Sequence, residues 1–185
     1  MEYWDIYDID RKPTGRRVQR SLRTLHPGEY RLVVHICIFS ADGRMLIQRR
    51  QPFKETYPGM WDLSVGGSAV SGENSREAAH RELKEELGIS HDFSGVLPHL
   101  TVNFTDGFDD IYLFTEDVEP SLLTLQKEEV EAVRYASLEE ILRMIDEGSF
   151  IRYQKGLITA LFEMREKYGT HQPGEGLEKE AGRKY

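Results

Sequence analysis

The stretch Arg31 to Phe39 (RLVVHICIF) is almost unbroken in apolarity and rich in β-branched side chains, which predicts a buried strand. Ahead of it, residues 3–9 alternate roughly as a strand, Lys12–Gly15 (KPTG) carry turn chemistry, and Arg16–Arg20 return as a second strand, an N-terminal hairpin. After it, Ala41-Asp42-Gly43 reads as a hairpin turn, and Arg44–Arg50 as the partner strand. A loop rich in Pro, Lys and Tyr (51–60) leads into a further strand, WDLSVGG, at 61–67. The pattern then becomes helical. Asn74–Leu87 is preceded by Ser71-Gly72-Glu73 and followed by Gly88, signals suited to the two ends of a helix. Strands are expected again at 93–104 and 107–116, around the turn Thr105-Asp106-Gly107, and at 132–136. Ser137 is placed to cap a helix running to Glu147, and Ser137-Leu138-Glu139-Glu140 has the capping-box spacing. Leu157, Ile158, Leu161, Phe162 and Met164 suit a final amphipathic helix over 152–168. Strands first, one helix in the middle and two at the end indicate an α+β protein, an α/β/α sandwich.

The 185 residues suit one domain with a sizeable core, and no internal repeat is evident. Three segments follow: an N-terminal hairpin extension (1–30), a main domain (31–168), and a tail (169–185) with almost nothing apolar, expected to be frayed. Two uses of the hairpin stay open, pairing across a homodimer or covering its own domain. Lys and Arg total 24 against 32 Asp and Glu, a formal charge of −8. Such a surface repels the backbone of duplex nucleic acid and anionic lipid, and a small anionic substrate would need a local cation or a metal. Cys37 is the sole cysteine, which excludes a disulfide within these residues and a Cys-rich zinc site. The start, MEYWDIYDID, is acidic and aromatic, unlike a signal peptide, and the longest apolar stretch, Leu32–Phe39, is interrupted by His35 and far too short to cross a membrane. The expectation is a soluble, reduced, cytoplasmic protein with neither duplex nucleic acid nor membrane as partner.

The chemistry concentrates in Gly67–Ile89, GSAVSGENSREAAHRELKEELGI. Glu82, Glu85 and Glu86 are spaced i, i+3 and i+4, so on a helix they share one face. Like charges stacked this way repel, and a hard divalent cation such as Mg²⁺ or Mn²⁺ would remove the penalty. Leu83 and Leu87 lie about 100° further round, where they would anchor the helix to a core. The glycine-containing loop at 65–72 brings backbone close to the acidic face, where a carbonyl could act as ligand. Taken alone, RELKEEL is better read as a solvated amphipathic helix balanced by Arg76, Arg81 and Lys84. The surrounding positions change that reading.

Gly67, Glu73, Arg81, Glu82, Leu83, Glu85, Glu86, Gly88 and Ile89 match the signature of the Nudix hydrolases without gap or substitution, and the segment resembles that family. With seven fixed residues each near 6% in average composition, a chance match is about one in 10⁹ per window. The order of elements from Arg31 to Tyr168 also looks like the whole Nudix fold, a mixed sheet between helices with the signature as loop, helix and loop. The resemblance implies that Glu82, Glu85 and Glu86 are metal ligands together with the Gly67 carbonyl. It makes Glu73 an accessory carboxylate and Arg81 the residue that orients a glutamate. It implies Mg²⁺ or Mn²⁺ as cofactor, with a water acidified by the metal attacking phosphorus once a carboxylate has taken its proton. The general base in such enzymes often comes from outside the signature. Here the candidates are Glu128 and Glu129, with Glu129 taken as the catalytic one, although KEEVE can also be a solvated acidic loop.

A narrower likeness is carried by LIQRRQPFKETYPGMWDLSVGG, which resembles the branch containing isopentenyl diphosphate isomerases and their hydrolase relatives. On that likeness Arg49 and Lys54 would bind a diphosphate, while Arg50 is better read as the exposed end of a hairpin. The isomerases carry a catalytic Cys after the Trp and a His close behind. Gly66 and Ser68 stand there in this chain, and Cys37 reads as a small buried residue. No second glutamate motif of the isomerase kind is visible. The expected activity is therefore metal-dependent hydrolysis of a diphosphate linkage in a nucleoside di- or triphosphate, a nucleotide sugar or a related small molecule. The alternatives are an isopentenyl diphosphate isomerase-like enzyme and a non-catalytic nucleotide-binding regulator. His35, His80, His91 and His99 show no ligand spacing, and Trp61 and Phe104 read as core. Selectivity is expected to reside in the loops at 51–60 and 101–110.

Overall fold

Strand β3 (Arg31–Phe39) organises the main sheet. In the computed structural model, which describes residues 2–22 and 24–166, it runs parallel to β8 (Gly107–Thr115) from Arg31 opposite Gly107 to Phe39 opposite Thr115. Its other edge is shared by β6 (Val65–Ser68) and by the end of β4 (Met45–Arg50). β5 (Trp61–Asp62) and β9 (Val130–Ala136) pair with β4, and β7 (Leu100–Phe104) pairs with β8, which completes a mixed seven-stranded sheet.

The alternation of side chains along β3 builds two cores. Leu32, Val34, Ile36 and Ile38 pack with Ala78, Ala79, Leu83 and Leu87 of α1 (Ser75–Leu87). Cys37 and Phe39 face the other way, into the cluster formed with α2 (Leu138–Glu147) and α3 (Lys155–Met164). The expected α/β/α sandwich is present, and Leu83 and Leu87 anchor α1 with no exposed surface. The N-cap is Asn74 itself, which closes a capping box with Glu77, rather than a residue of the preceding Ser71-Gly72-Glu73, and Gly88 ends α1 in the left-handed conformation as expected. Ser137 caps α2 by accepting a hydrogen bond from the Glu140 N–H.

Three elements differ most from expectation. WDLSVGG divides into β5 and β6 because Ser64 inserts between them. Its hydroxyl donates to the Leu46 carbonyl and accepts from the Ile38 N–H, so it joins β4 to β3 where the ladder would otherwise part. The strand expected from Phe93 begins only at Leu100: Phe93 turns into the α1-side core, Gly95 is left-handed (φ 74°), and Pro98 has no N–H to give. The N-terminal turn lies at Asp8–Lys12 rather than at KPTG, since the Asp8 carboxylate accepts from the Asp10 and Lys12 N–H groups and Pro13 already opens a strand.

The hairpin β1 (Tyr3–Tyr7) and β2 (Pro13–Gln19) forms its own small sheet and covers the domain of its own chain. Asp5 accepts from the Ser71 hydroxyl and the Gly72 N–H, both at 2.7 Å, and the Ser71 N–H donates to the Tyr3 carbonyl. Arg11 makes a two-pronged contact with buried Asp110 (3.1 and 2.7 Å). Among the described residues no helix is long and apolar enough to cross a membrane. The expected tail (169–185) lies outside the described residues.

Candidate metal and substrate site

Helix α1 and strand β6 set the geometry. Glu82 and Glu86, one helical turn apart, are 7% and 4% exposed and face a cavity of about 1000 Å³, while Glu85 stands on its rim, half exposed. Across from them, β6 is held against β3 in antiparallel register, with Gly67 opposite Val34. A β-carbon on Gly67 would stand 2.0 Å from Glu82 Oε1, so only glycine lets the backbone approach this carboxylate.

Arg81 ties the acidic residues together. It donates to both oxygens of Glu73 (2.7 and 2.9 Å), to Glu85 (3.0 Å) and to the Ser68 carbonyl (3.1 Å), and lies 2.9 Å from Glu82 Oε1. Burial disfavours its charge, but Glu73 and Glu82 outweigh that and keep it protonated. Glu73 is not among the residues lining the cavity; it clamps Arg81 and accepts from the Val70 N–H (2.9 Å). Burial raises the Glu82 carboxyl to about 7, against the opposing pull of Arg81. Burial and the charge of Glu82 raise Glu86 to about 8, and the Gln48 amide, donating at 2.9 Å, offsets only part of this.

Two buried carboxylates, Glu82 reached by Arg81 and Glu86 by the neutral Gln48 amide, lie beside a backbone stripped of side chain and suit a divalent cation by their oxygen donors. Among the described residues no three His, Cys, Asp or Glu side chains already converge on one point, because Arg81 engages Glu82 and draws Glu85 to itself. Glu82, Glu85, Glu86 and the Gly67 carbonyl would hold the ion, the carboxylates through oxygens other than those Arg81 engages.

Cations line the cavity too. Lys54 and Glu129 form an ion pair, and both line the cavity with Arg20, Arg31, Arg50 and Glu128. Arg49 does not line it. Its guanidinium donates to the Gly59 carbonyl (3.0 Å) and reaches Glu131 (3.2 Å), and Arg50, read from the sequence as an exposed end, takes the inward place. Sequence reasoning missed Gln48, Asp62, His35 and Tyr153, all near or on the cavity floor. Their sole signal was that His35 interrupts an apolar strand.

A pH dependence follows. Glu82 and Glu86 are raised in the folded state above their ordinary value of 4.5, so the folded chain holds more protons than the unfolded one up to about pH 8. Stability therefore falls as pH rises through that window. His35, whose burial opposes its charge but which Asp109, with Asp62 and Glu86, raises to about 9, acts in the same direction, its contribution being lost as pH climbs through that value. The thermal midpoint of the chelator-treated protein is expected to fall steadily between about pH 6.5 and 8.5. Mg²⁺ should restore more of it at the upper end than at the lower, and a flat profile would show that these carboxylates are not strained in the metal-free protein.

A family model described as the NUDIX domain matches residues 29–154. An uncharacterised Nudix hydrolase of Listeria monocytogenes is 44% identical over 171 residues, spanning 92% of this chain and 99% of its own. An isopentenyl-diphosphate Delta-isomerase of Salmonella arizonae is 30% identical over 152 residues, 78% of this chain and 81% of that protein. The crystal structure of a Deinococcus radiodurans protein superposes with a TM-score of 0.72 at 22% identity, covering 86% of this chain and 99% of the other, and so shares the fold.

Proposed function

This chain belongs to the Nudix hydrolase family, and from that premise we propose that it uses Mg²⁺ or Mn²⁺ to hydrolyse a diphosphate linkage in a nucleoside di- or triphosphate, a nucleotide sugar or a related metabolite. The observation that carries the reading is the buried pair Glu82 and Glu86, Glu82 packed against Gly67, in a cavity that Arg20, Arg50 and Lys54 also line. Residues 31–168 form the catalytic domain on this reading, residues 1–30 its extension, and the setting is cytoplasmic.

When bound, the divalent ion would neutralise the diphosphate and make a water easier to deprotonate. The chain supplies the rest. Arg50 and Lys54 bind phosphoryl oxygens, with Arg50 steadied by Asp62 at 3.6 Å. Glu129, released when Lys54 turns to the substrate, takes the proton of the attacking water. Arg81, braced by Glu73, keeps Glu82 and Glu85 in register with the Gly67 backbone.

The Salmonella relative favours a second reading, isomerisation of isopentenyl diphosphate. Gly66 speaks against it: there is no thiol at this position, and a β-carbon there would lie 2.6 Å from the His35 ring, which already takes that space. The test is release of phosphate or pyrophosphate, with Mg²⁺ and with Mn²⁺, over a panel of nucleotides, nucleotide sugars and isoprenoid diphosphates. Turnover of at least one member, abolished by chelator, is expected. A rearranged isoprenoid diphosphate without phosphate release would hand the site to the isomerase reading. Saturable nucleotide binding without turnover would make the protein a regulator.

A further inference from the structure

Below the glycine pair, side chains from three strands and the segment before α3 close on one another. His35 of β3 has Nδ1 at 2.8 and 2.9 Å from the two oxygens of Asp109 on β8, and opposite a carboxylate that nitrogen donates. Its Nε2 lies 3.3 Å from the Tyr153 hydroxyl, which in turn donates to Asp62 Oδ1 at 2.7 Å. Asp62, on β5, is buried and also accepts from the Leu63 N–H. The His35 ring is therefore gripped at both nitrogens.

A polar cluster of this kind is costly where apolar side chains would pack as well, so its position calls for a reason. His35 pairs with Gly66 across β3 and β6, and a β-carbon on Gly66 would meet the ring at 2.6 Å (Cδ2) and 2.7 Å (Nε2). The next residue is Gly67, whose missing β-carbon leaves room for the Glu82 carboxylate. The ring is thus a platform under one glycine, and the carboxylate packs on the other.

The geometry points to His35 as a positioning residue: clamped by Asp109 and Tyr153, its ring fixes the Gly66–Gly67 backbone against which Glu82 packs, and so shapes the site for a divalent cation. The inference rests on the metal-dependent reading above, but it concerns binding and is tested without turnover. Groups that orient metal ligands from behind typically change affinity about 10- to 100-fold when removed.

The experiment is direct Mn²⁺ binding to the full chain, read from the electron paramagnetic resonance of the free ion, with thermal midpoints recorded alongside. His35→Ala empties the platform and Gly66→Ala pushes the ring aside, so each is expected to weaken Mn²⁺ binding about 10-fold or more. In the double variant the methyl introduced at position 66 moves into the vacated space, and affinity is expected to return to within about 3-fold of wild type, a non-additivity that marks direct contact. If either single variant fails to fold, Tyr153→Phe keeps the ring, removes one hydrogen bond to the clamp, and should weaken binding about 3-fold. Single variants that bind Mn²⁺ as tightly as wild type, or a double variant no better than the worse single one, overturn the inference. A wild-type chain that binds no Mn²⁺ instead overturns the metal reading itself, before any variant is compared.

Discussion

Gly67→Ala is expected to lower metal-dependent turnover by about 10²-fold or more while leaving the fold nearly intact. A β-carbon at this position would lie 2.0 Å from Oε1, 2.1 Å from Cδ and 2.7 Å from Cγ of Glu82. All three atoms belong to the outer part of a flexible side chain, so the clash can be relieved without moving backbone. What moves is the carboxylate itself. The damage therefore falls on the site, because a displacement of about 1 Å in a reacting group is enough for a loss of this size. Thermal melting beside steady-state kinetics separates the two effects. A variant that melts far below wild type, or one that keeps its turnover, would show that Glu82 is not held in place by the bare backbone.

Glu86→Gln is expected to act in opposite directions on activity and stability. Turnover should fall at least about 10²-fold, since on the proposed reading Glu86 holds the metal. At about pH 8 and without metal, the thermal midpoint should rise by about 3 °C. Glu86 is buried, and burial together with the Glu82 charge raises its carboxyl to about 8. Its hydrogen-bonding partner is the neutral Gln48 amide. A glutamine keeps an oxygen for that amide and removes the charge, so the repulsion from Glu82 ends and the Gln48 donor keeps its acceptor. The pH slope of the melting curve should shrink as well. A lower midpoint for the variant would mean that the ionised carboxylate is better compensated than its surroundings indicate.

The signature helix was legible because its determinants are local. Gly88 marks the C-terminal end, the polar run from Ser71 brackets the start to within a residue or so of the Asn74 cap, and the i, i+3, i+4 spacing fixes the shared face whatever the helix packs against. The parts that could not be read depend on pairing between distant segments. Which of Arg49 and Arg50 points inward is decided by the pairing of β4 with β5 and β9, including a register shift at that very step, and alternation along β4 alone cannot say which face looks into the cavity. Ser64 divides a strand by bonding to two others, and neither bond is visible from WDLSVGG. His35 meets Asp109 only because β3 and β8 run parallel, and it meets Tyr153 across 118 positions of sequence. No period within a window reports such contacts.

The docking of the hairpin carries a practical consequence. Because β1 and β2 lie against the signature loop, Glu2 and Arg20 meet at the lip of the cavity, 2.6 Å apart. Glu2 therefore stands at the entrance. A histidine tag placed there would bring metal-seeking imidazoles within reach of the cation site, and would lower apparent metal affinity and crowd incoming substrate. Material for metal titrations is better left untagged at that end.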